Sequence, residues 1–562
     1  MTAASESKLT HNEQIKLAIP TLAGTIGATL ADPAADRFCE DDTQFLKFHG
    51  IYQQDDRDKR KVGKHYMFMI RGRIPGGVLS SRQYLVFDDL ATRYGNQTLR
   101  ITSRQSFQFH GVVKQGLGKL MKGINEALID TLAACGDVNR NVMAPPTPPV
   151  DALRSQMLED ARRVSGALLP KTKAYHAIWV EGVQLNLEDP ENKEFADPLY
   201  GKQYLPRKFK AAFAFPPLND TDVLTNCLGF IAIEEGGRIV GYNLTAGGGL
   251  GMSHGNEETY PRVADVIGFV TPDRIVEAAR GVLTVHRDFG DRTNRKHARL
   301  KYVLEEKGVA WFREELERRI GFRLGDPRPY RFERQGDVFG WHQQHDGNWF
   351  LGLYVETGRV KDEGTRRLKS ALKLIAERHA PEIRLTPSQN IILANLAPGD
   401  RAAVTQILAD HGIPVENQAT AIRRASMACP ALPTCGLALS ESERYLPDLL
   451  GRIEGLLAEV GLADNDVIIR MTGCPNGCAR PYMAEIGFVG KAPGKYNLYL
   501  GGNQSSTRLN RLHKESLKEA EILSELRALL TRYTRERAGA ERFGDWCARI
   551  VWQEAPAAPV KA

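Results

Sequence analysis

Apolar and polar residues alternate over residues 98–110, and this alternation predicts a pair of strands. Leu99 and Ile101 fall on one face of the first strand, and Arg100 falls on the other. In the second strand, two phenylalanines lie opposite His110. A period of two residues is typical of strands that bury one face. The polar face of the predicted pair therefore carries arginines and a histidine.

The same pattern returns late in the chain, where residues 382–393 match residues 98–109. The matched polar positions are Arg100 with Arg384, Thr102 with Thr386, and Gln105 with Gln389. An apolar strand and then a helix are predicted before each copy, at 67–70 and 81–94 and again at 350–355 and 365–379. Such an internal repeat indicates two half-domains that pair around a pseudo-two-fold axis. The second copy lacks counterparts of Arg104 and His110, so the copies have diverged.

A helix with one apolar stripe is predicted after residue 440, followed by a buried strand at 467–471. Ser440 and Glu443 have the spacing of a capping box, although Pro447 favours a later start. The strand leads directly into Thr472-Gly-Cys474. Strand ends are where α/β domains place their chemistry.

Composition narrows the class of protein only moderately. The chain has 562 residues, of which 42% are apolar and 25% charged, which indicates two to four globular domains. No run of apolar residues is long enough to span a membrane, and no leader segment is evident, so we expect a cytoplasmic protein. The net charge of +7 comes from lysines and arginines scattered among acids, which argues against nucleic-acid binding.

Four of the eight cysteines lie in two short, turn-rich stretches, Cys429-x5-Cys435 and Cys474-Pro-Asn-Gly-Cys478. Converging thiolates indicate a metal site. A disulfide pair is disfavoured in a cytosolic protein, and the first spacing is too wide for a zinc knuckle. A structural zinc site remains an alternative to an iron–sulfur cluster. The other cysteines are interpreted as packing thiols: Cys39, Cys135, Cys227 and Cys547.

Several basic positions are candidates for binding anions. Lys208 and Lys210 alternate with Phe209, so both side chains are expected on one face. The run from Arg287 to Lys296 is dense in basic residues, and either a solvated face or a polyanion site would explain it. No complete dinucleotide fingerprint or Walker loop occurs, because the loops at 246–251 and 490–495 both lack required positions.

The order and spacing of these motifs resemble the sirohaem sulfite and nitrite reductases over nearly the whole chain. Within that family the sequence is most similar to the haemoprotein (beta) subunits of NADPH-dependent sulfite reductases. The motifs are residues 47–58, Arg71-Gly-Arg-Ile-Pro-Gly-Gly77, residues 102–111, Leu205-Pro-Arg-Lys-Phe-Lys210 and the paired cysteine stretches.

The resemblance implies two cofactors and a set of site residues. Cys429, Cys435, Cys474 and Cys478 would hold a [4Fe–4S] cluster, and Cys478 would also be the axial ligand of a sirohaem. The implied anion-binding residues are Arg71, Arg140, Lys208 and Lys210. Arg100, Arg104, His110 and the run from Arg287 would contact the macrocycle and its carboxylates.

The implied architecture is α+β, with three domains and the pseudo-two-fold repeat. Residues 1–60 would form an N-terminal arm that could dock a partner. Residues 61–132 with 335–416 would be the duplicated ferredoxin-like half-domains. Residues 133–334 would form a sirohaem and substrate domain, and residues 417–562 the cluster and haem-ligand domain.

The implied activity is assimilatory six-electron reduction of sulfite to sulfide. Lys at both positions of the Lys-x-Lys pair favours sulfite, because nitrite-reducing members tend to have Asn at the second. Since no flavin or nicotinamide motif is visible, electrons would come from an NADPH-dependent flavoprotein (alpha) subunit, with ferredoxin as the alternative donor. A sirohaem nitrite reductase and a non-catalytic zinc-stabilised binding protein are the competing hypotheses.

Overall fold

A computed structural model describes residues 9–148, 152–181 and 194–553. Residues 1–8 of the predicted arm and residues 554–562 of the last predicted domain lie outside this part. The helices are α1 His11–Ala18, α2 Ile26–Ala31, α3 Glu40–Phe48, α4 Ser81–Tyr94, α5 Lys114–Glu126, α6 Ala152–Ala167, α7 Ala174–His176, α8 Ile275–Phe289, α9 Leu300–Lys307, α10 Val309–Ile320, α11 Leu368–His379, α12 Asp400–Asp410, α13 Ala421–Arg424, α14 Leu446–Glu459, α15 Glu519–Glu536 and α16 Phe543–Trp546.

The strands are short, and they form separate sheets. They are β1 Ile51–Asp55, β2 Tyr66–Arg71, β3 Val78–Leu79, β4 Leu99–Ile101, β5 Phe107–Val112, β6 Ala211–Ala214, β7 Leu228–Glu235, β8 Arg238–Ala246, β9 Asp265–Val270, β10 Gly340–Gln343, β11 Trp349–Leu353, β12 Arg359–Val360, β13 Asp362–Glu363, β14 Arg366–Arg367, β15 Glu382–Leu385, β16 Ile391–Leu396, β17 Met427–Ala428, β18 Ile469–Thr472, β19 Ile486–Ala492, β20 Lys495–Leu500 and β21 Arg511–Leu517.

The internal repeat is confirmed by two antiparallel sheets of the same order, β1-β2-β5-β4-β12 and β10-β11-β16-β15-β3. Each copy gives one two-residue strand to the other: β12 pairs with β4, and β3 pairs with β15. The predicted helix at 81–94 has those bounds, and its counterpart is α11. Exchange of strands ties the halves together, so neither sheet is completed by its own copy alone.

The turns that follow β4 and β15 have the same local structure. Gln105 and Gln389 both adopt positive φ, at 53° and 72°. In each turn the glutamine N–H donates to the threonine carbonyl three residues earlier, at 3.1 Å. Positive φ is uncommon for residues other than glycine. Its recurrence at matched positions shows that the repeat extends to backbone detail.

Two mixed sheets complete the fold, β6-β7-β8-β9 and β17-β18-β19-β20-β21. In the second, β17, β18 and β19 are parallel and β20 reverses direction. The first sheet has the same succession, because residues 139–143 form parallel bridges to the segment around β6. The α+β class is therefore confirmed, with a second pair of similar sheets.

The predicted N-terminal arm packs onto the body of the protein from residue 9 onward. Apolar side chains of its helices, including Ile15, Leu22 and Phe45, belong to the large hydrophobic core shared with both repeat sheets. Its predicted role in partner docking remains a prediction. Across the described ranges, no helix is both long and apolar enough to cross a membrane.

Two local predictions were wrong. The helix after residue 440 begins at Leu446, so Ser440 and Glu443 do not cap it. Glu443 instead forms ion pairs with Arg100 and Arg359, and this use of the carboxylate removes it from any cap. Cys39, expected to be a packing thiol, is exposed before α3, whereas the other three isolated cysteines are buried.

Candidate functional site

A cavity of about 620 Å³ brings together eleven of the predicted site residues. Its walls come from β2, β4, β5, the segments before β6, and the loops after β17 and β18. The predicted residues that line it are Arg71, Arg100, Arg104, His110, Arg140, Lys208, Lys210, Cys429, Cys435, Cys474 and Cys478. Residues far apart in sequence thus face one space, as the resemblance implies.

The cysteines reach the cavity from two adjacent parallel strands. Cys429 follows β17 directly, and Cys474 follows β18 by two residues. Both are buried, Cys435 is partly exposed, and Cys478 is exposed toward the cavity. The four thiols are therefore unequal, and Cys478 is the most accessible.

The thiols affect one another electrostatically. Burial raises the pKa of Cys429 well above its ordinary value, and the neighbouring cysteines raise it further. Burial followed by the effect of Cys478 raises the pKa of Cys474 to about 11. Burial and then mutual repulsion oppose ionisation of Cys429 and Cys474. A positively charged group bound by these sulfurs would stabilise their thiolate forms.

Neighbouring N–H groups point at two of these sulfurs. The Gly473 N–H donates to Cys429 Sγ at 3.3 Å, and Asn476 Nδ2 donates to Cys474 Sγ at 3.4 Å. Hydrogen bonds to ligand sulfurs are among the features that set cluster potentials.

The segment after Cys478 is held between the two equivalent turns of the repeat. Ser103 Oγ donates to the Cys478 carbonyl at 2.7 Å. Arg480 Nη2 donates to the carbonyl of Pro387, the repeat counterpart of Ser103, at 2.8 Å. Both halves of the duplicated fold thus position this one loop.

Gly473 lies where the cluster loops approach most closely. A Cβ at this position would come within 2.5 Å of the Ser440 carbonyl oxygen and 2.6 Å of Ala431 Cβ. Both contacts are too short, and one partner is backbone, so the loops would have to separate.

We expect Gly473→Ala to lower iron content and activity together, because separated loops move Cys429 away from Cys474. Overpacking of this kind costs about 1–3 kcal/mol. Iron and acid-labile sulfide per chain provide the measurement. Gly455→Ala is the control, since a Cβ there meets no atom within 4 Å. Full iron content in Gly473→Ala would contradict the expectation.

Lys208 and Lys210 point into the cavity, and Phe209 between them is fully buried, as the alternation predicted. The structure records no carboxylate within ion-pair distance of either amine among the described residues. Burial, and then nearby cations, lower the pKa of both lysines well below the ordinary value. The cations include Arg140 and Arg299. An anion bound in the cavity would therefore stabilise the charged form of both amines.

Arg71 and Arg140 approach the same space from other elements. The Gln108 amide oxygen, in the orientation that satisfies both groups, accepts from Arg71 Nη2 at 2.6 Å. The Arg140 guanidinium donates to the Gly136 carbonyl at 3.2 Å, and Tyr52 lies beside it. Both guanidinium groups are thus oriented by the protein before any ligand binds.

Arg100 lies behind the cysteine loop. Its Nη2 donates to the Ala428 carbonyl at 2.7 Å, and its Nη1 lies 3.2 Å from Glu443 Oε2. Burial tends to raise the pKa of Glu443, but Arg100 and Arg359 outweigh it and lower that pKa to about 2. The ionised carboxylate therefore fixes two arginines, one from each copy of the repeat.

His110 and Arg104 differ in what the protein offers them. Both ring nitrogens of His110 are buried without a hydrogen-bond partner among the described residues. Arg104, by contrast, makes four hydrogen bonds to acceptors of Asn141, Ala211 and Asn226. His110 thus has donor and acceptor capacity available to a ligand, whereas Arg104 ties strands together at the cavity wall.

Only Arg295 of the basic run 287–296 lines the large cavity. Arg287 pairs with Asp288, and Arg292 pairs with Glu13. Four further cations were not identified from the sequence. Lys47 and Arg207 line the large cavity, and Arg299 and Arg480 line an adjoining space. Lys47 and Arg207 lie inside the motifs at residues 47–58 and 205–210 that resemble the family, and these motifs could have identified them.

The donor set fits an iron–sulfur cluster better than a single zinc ion. In the ranges that the structure describes, no group of three or more His, Cys, Asp or Glu side chains converges closely enough to hold one metal ion. Zinc binds its sulfurs at about 2.3 Å and so draws them tightly together. A cluster spreads its ligands, because each thiolate binds a different iron.

The cavity also fits a polyanionic macrocycle. It carries seven lysines or arginines besides the two anion-site lysines: Lys47, Arg71, Arg100, Arg104, Arg140, Arg207 and Arg295. Among the described residues, Asp137 is the one acidic side chain in its lining. The buried, unpartnered nitrogens of His110 add polar capacity that no protein group uses.

Comparison with protein-family models gave two matches. The "Nitrite and sulphite reductase 4Fe-4S domain" matches residues 138–324 and 420–557. The "Nitrite/Sulfite reductase ferredoxin-like half domain" matches residues 59–127 and 342–411. Each model matches twice, as the two pairs of similar sheets require.

Curated relatives match almost end to end. The "Sulfite reductase [NADPH] hemoprotein beta-component" of Geobacillus kaustophilus is 49% identical over 96% of this chain and 95% of its own length. The protein of the same name from Myxococcus xanthus is 49% identical over 98% of each chain. Among solved structures, the NirA protein of Mycobacterium tuberculosis matches with a TM-score of 0.77 at 24% identity, over 96% of each chain.

Proposed function

Because the chain belongs to the nitrite and sulphite reductase family, we propose that it is the haemoprotein component of an assimilatory sulfite reductase. It reduces sulfite to sulfide with a sirohaem and a [4Fe–4S] cluster. One observation carries the proposal: four cysteines and four anion-site cations line the same cavity, and Cys478 is the thiol exposed toward them. A sulfur between two cofactors must be accessible on the side away from the other cysteines.

Cys429, Cys435, Cys474 and Cys478 would hold the cluster, and Cys478 would also ligate the haem iron. Lys47, Arg207 and Arg295 are placed to neutralise macrocycle carboxylates, and His110 offers two free ring nitrogens. When bound, the two cofactors would relay electrons from the donor protein and provide the iron site at which sulfite is reduced.

The anion-site residues neutralise sulfite and orient its oxygens. Sulfite carries two negative charges when it is fully ionised. Four basic side chains that have no carboxylate ion-pair partner among the described residues face the cavity: Arg71, Arg140, Lys208 and Lys210. Arginine can bind two oxygens at once, whereas lysine acts as a compact point charge. Fixed positive groups stabilise negative charge most effectively where water is excluded.

The lysine amines also supply protons. Conversion of sulfite to sulfide takes sulfur from +4 to −2, so six electrons are consumed and three oxygens leave as water. Each departing oxygen must be protonated. Burial and neighbouring cations lower the pKa of Lys208 and Lys210. Nζ of each lysine is therefore a better proton donor than an arginine, which hardly deprotonates.

Electrons come from a separate protein in this proposal. The relatives named above are beta-components of NADPH-dependent enzymes, and we propose a flavoprotein alpha subunit as the donor. A cytoplasmic location belongs to the same proposal, because cluster ligation needs reduced thiols.

Steady-state kinetics with a chemical reductant test the activity. We expect the purified protein to show haem absorption and to reduce sulfite with a higher kcat/KM than nitrite. A clear preference for nitrite would instead identify a sirohaem nitrite reductase. Colourless protein that contains zinc and no iron would refute the redox function altogether. Comparison of NADPH plus flavoprotein with reduced ferredoxin identifies the donor.

A further inference from the structure

A buried cluster of charged side chains lies beneath the segment that carries Lys208 and Lys210. Lys16 and Glu13 of α1 are only 2% and 1% exposed. Asp137 is 4% exposed and comes from the segment before Arg140. Arg292 and Arg295 complete the cluster from the basic run. Such burial of charge is costly unless each group is paired.

The charges of this cluster are paired with one another. Lys16 forms ion pairs with Glu13 and, at 3.7 Å, with Asp137. Arg295 binds Asp137 at 2.8 Å, and Arg292 binds Glu13. Burial lowers the pKa of Lys16, while Asp137 and Glu13 oppose that change by favouring the ammonium form. The result is a continuous chain of alternating charges.

Three cations of the cluster bind three consecutive backbone carbonyls just before the lysines. Arg292 Nη2 donates to Tyr204 O at 2.8 Å, and Lys16 Nζ donates to Leu205 O at 2.8 Å. Arg295 Nη1 donates to Pro206 O at 3.3 Å. Tyr204 itself has φ of 56°, an uncommon conformation for a bulky residue. External contacts therefore determine the course of this backbone.

The backbone of residues 137–140 also forms hydrogen bonds with the segment that carries the lysines. The Leu205 N–H donates to the Asp137 carbonyl, and the Phe209 N–H donates to the Val138 carbonyl, both at 3.0 Å. The Arg140 N–H donates to the Phe209 carbonyl at 3.0 Å. The segment that carries Arg140 is thereby joined to the segment that carries both lysines, so contacts that hold one segment also affect the spacing between these cations.

We propose that Lys16, on the first described helix, is a positioning residue for the sulfite site, acting through the carbonyl of Leu205 on Lys208 and Lys210. It does not touch the substrate. This inference rests on the proposed function, and it gives the N-terminal segment a role in the anion site that is separate from partner docking. The hydrogen bonds from the cluster to the carbonyls of residues 204–206 would fix where the two amines lie relative to Arg140.

Lys16→Met tests the proposal, because methionine fills similar space without charge or donors. We expect KM for sulfite to rise by about ten-fold or more, since a misplacement of about 1 Å costs up to 10²-fold. The visible spectrum and iron content should stay those of the wild type. Hydrogen exchange of residues 204–210 should become faster. Lys16→Arg, which retains charge and donors, should restore most of the KM.

A double variant, Lys16→Met with Glu13→Gln, removes both members of the Lys16–Glu13 ion pair and so leaves the net charge of the buried cluster unchanged. Lys202→Met is the matched control, because Lys202 is exposed and its ion pair with Glu194 lies outside the buried cluster. Unchanged KM and unchanged exchange in the Lys16 variants would overturn the positioning role. A fall in kcat and haem content without a KM effect would also overturn it, since that pattern reports general destabilisation. Absence of sulfite reduction by the wild type would instead refute the proposed function.

Discussion

Cys478→Ser is expected to abolish sulfite reduction and to remove the haem or cluster absorption of the purified protein. Loss of a partner group around a metal ligand costs 10–100-fold in affinity or activity, so loss of the proposed bridging ligand should cost at least about 100-fold. In the proposed function the other ligands would contact only the cluster, whereas this thiol would join both cofactors. Its removal therefore disrupts two groups at once.

The structure indicates that this variant should still fold. The contact that fixes the loop is made by the Cys478 carbonyl with Ser103 Oγ at 2.7 Å, and serine retains that carbonyl. Arg480 keeps its bond to the Pro387 carbonyl as well. The effect should therefore be confined to cofactor loading and activity, while circular dichroism stays unchanged.

Iron, acid-labile sulfide and the visible spectrum are the measurements, together with activity driven by a chemical reductant. Cys39→Ser is the control, because Cys39 is an exposed thiol that does not line the cavity. It should behave as the wild type. A Cys478→Ser protein with wild-type spectrum and activity would show that the bridging assignment is wrong.

The sequence identified candidate site residues that the structure brings to one cavity, but it did not predict how the fold holds them. The sequence predicted the spacing of the cysteines and the strand that precedes Cys474, because both are local features of the chain. The repeat could be predicted because residues such as Arg100 and Arg384 occupy equivalent positions in the two predicted strands. The exchanged strands β3 and β12 were not predicted, since two residues carry no periodic signal.

Long-range charge pairing explains the remaining differences. Glu443 has the spacing of a helix cap, yet it is used by Arg100 and Arg359, which lie far away in sequence. Lys16 lies in the predicted N-terminal arm, yet its side chain is buried beneath residues 204–206. In both cases the partner that decides the role is fixed only by tertiary structure. Local propensity cannot report such partners.

Lys210→Asn is expected to lower kcat/KM for sulfite by about 10²–10³-fold, the usual cost of removing one group that stabilises developing negative charge. The activity with nitrite should fall less. Sulfite carries two negative charges and nitrite one, so removal of one cation weakens attraction to sulfite about twice as strongly. The ratio of nitrite to sulfite kcat/KM should therefore rise.

The surroundings of Lys210 indicate that the change acts mainly on the substrate. Its amine lines the cavity together with Cys478, and no carboxylate lies within ion-pair distance among the described residues. Removal of the amine thus leaves no buried acid unpaired. Burial, and then nearby cations such as Arg104 and Arg299, lower the pKa of Lys210. Removal of its charge should therefore relieve repulsion on these arginines, and the variant should remain folded and loaded with cofactor.

Initial rates with sulfite and nitrite under the same chemical reductant provide the comparison, with Lys202→Asn as the control on an exposed lysine. An equal fall for both substrates would mean that Lys210 serves proton delivery or folding and not charge selection. Unchanged rates for both would remove Lys210 from the site. A selective loss with sulfite would show that the second lysine of the pair matches the charge of the cavity to a dianion.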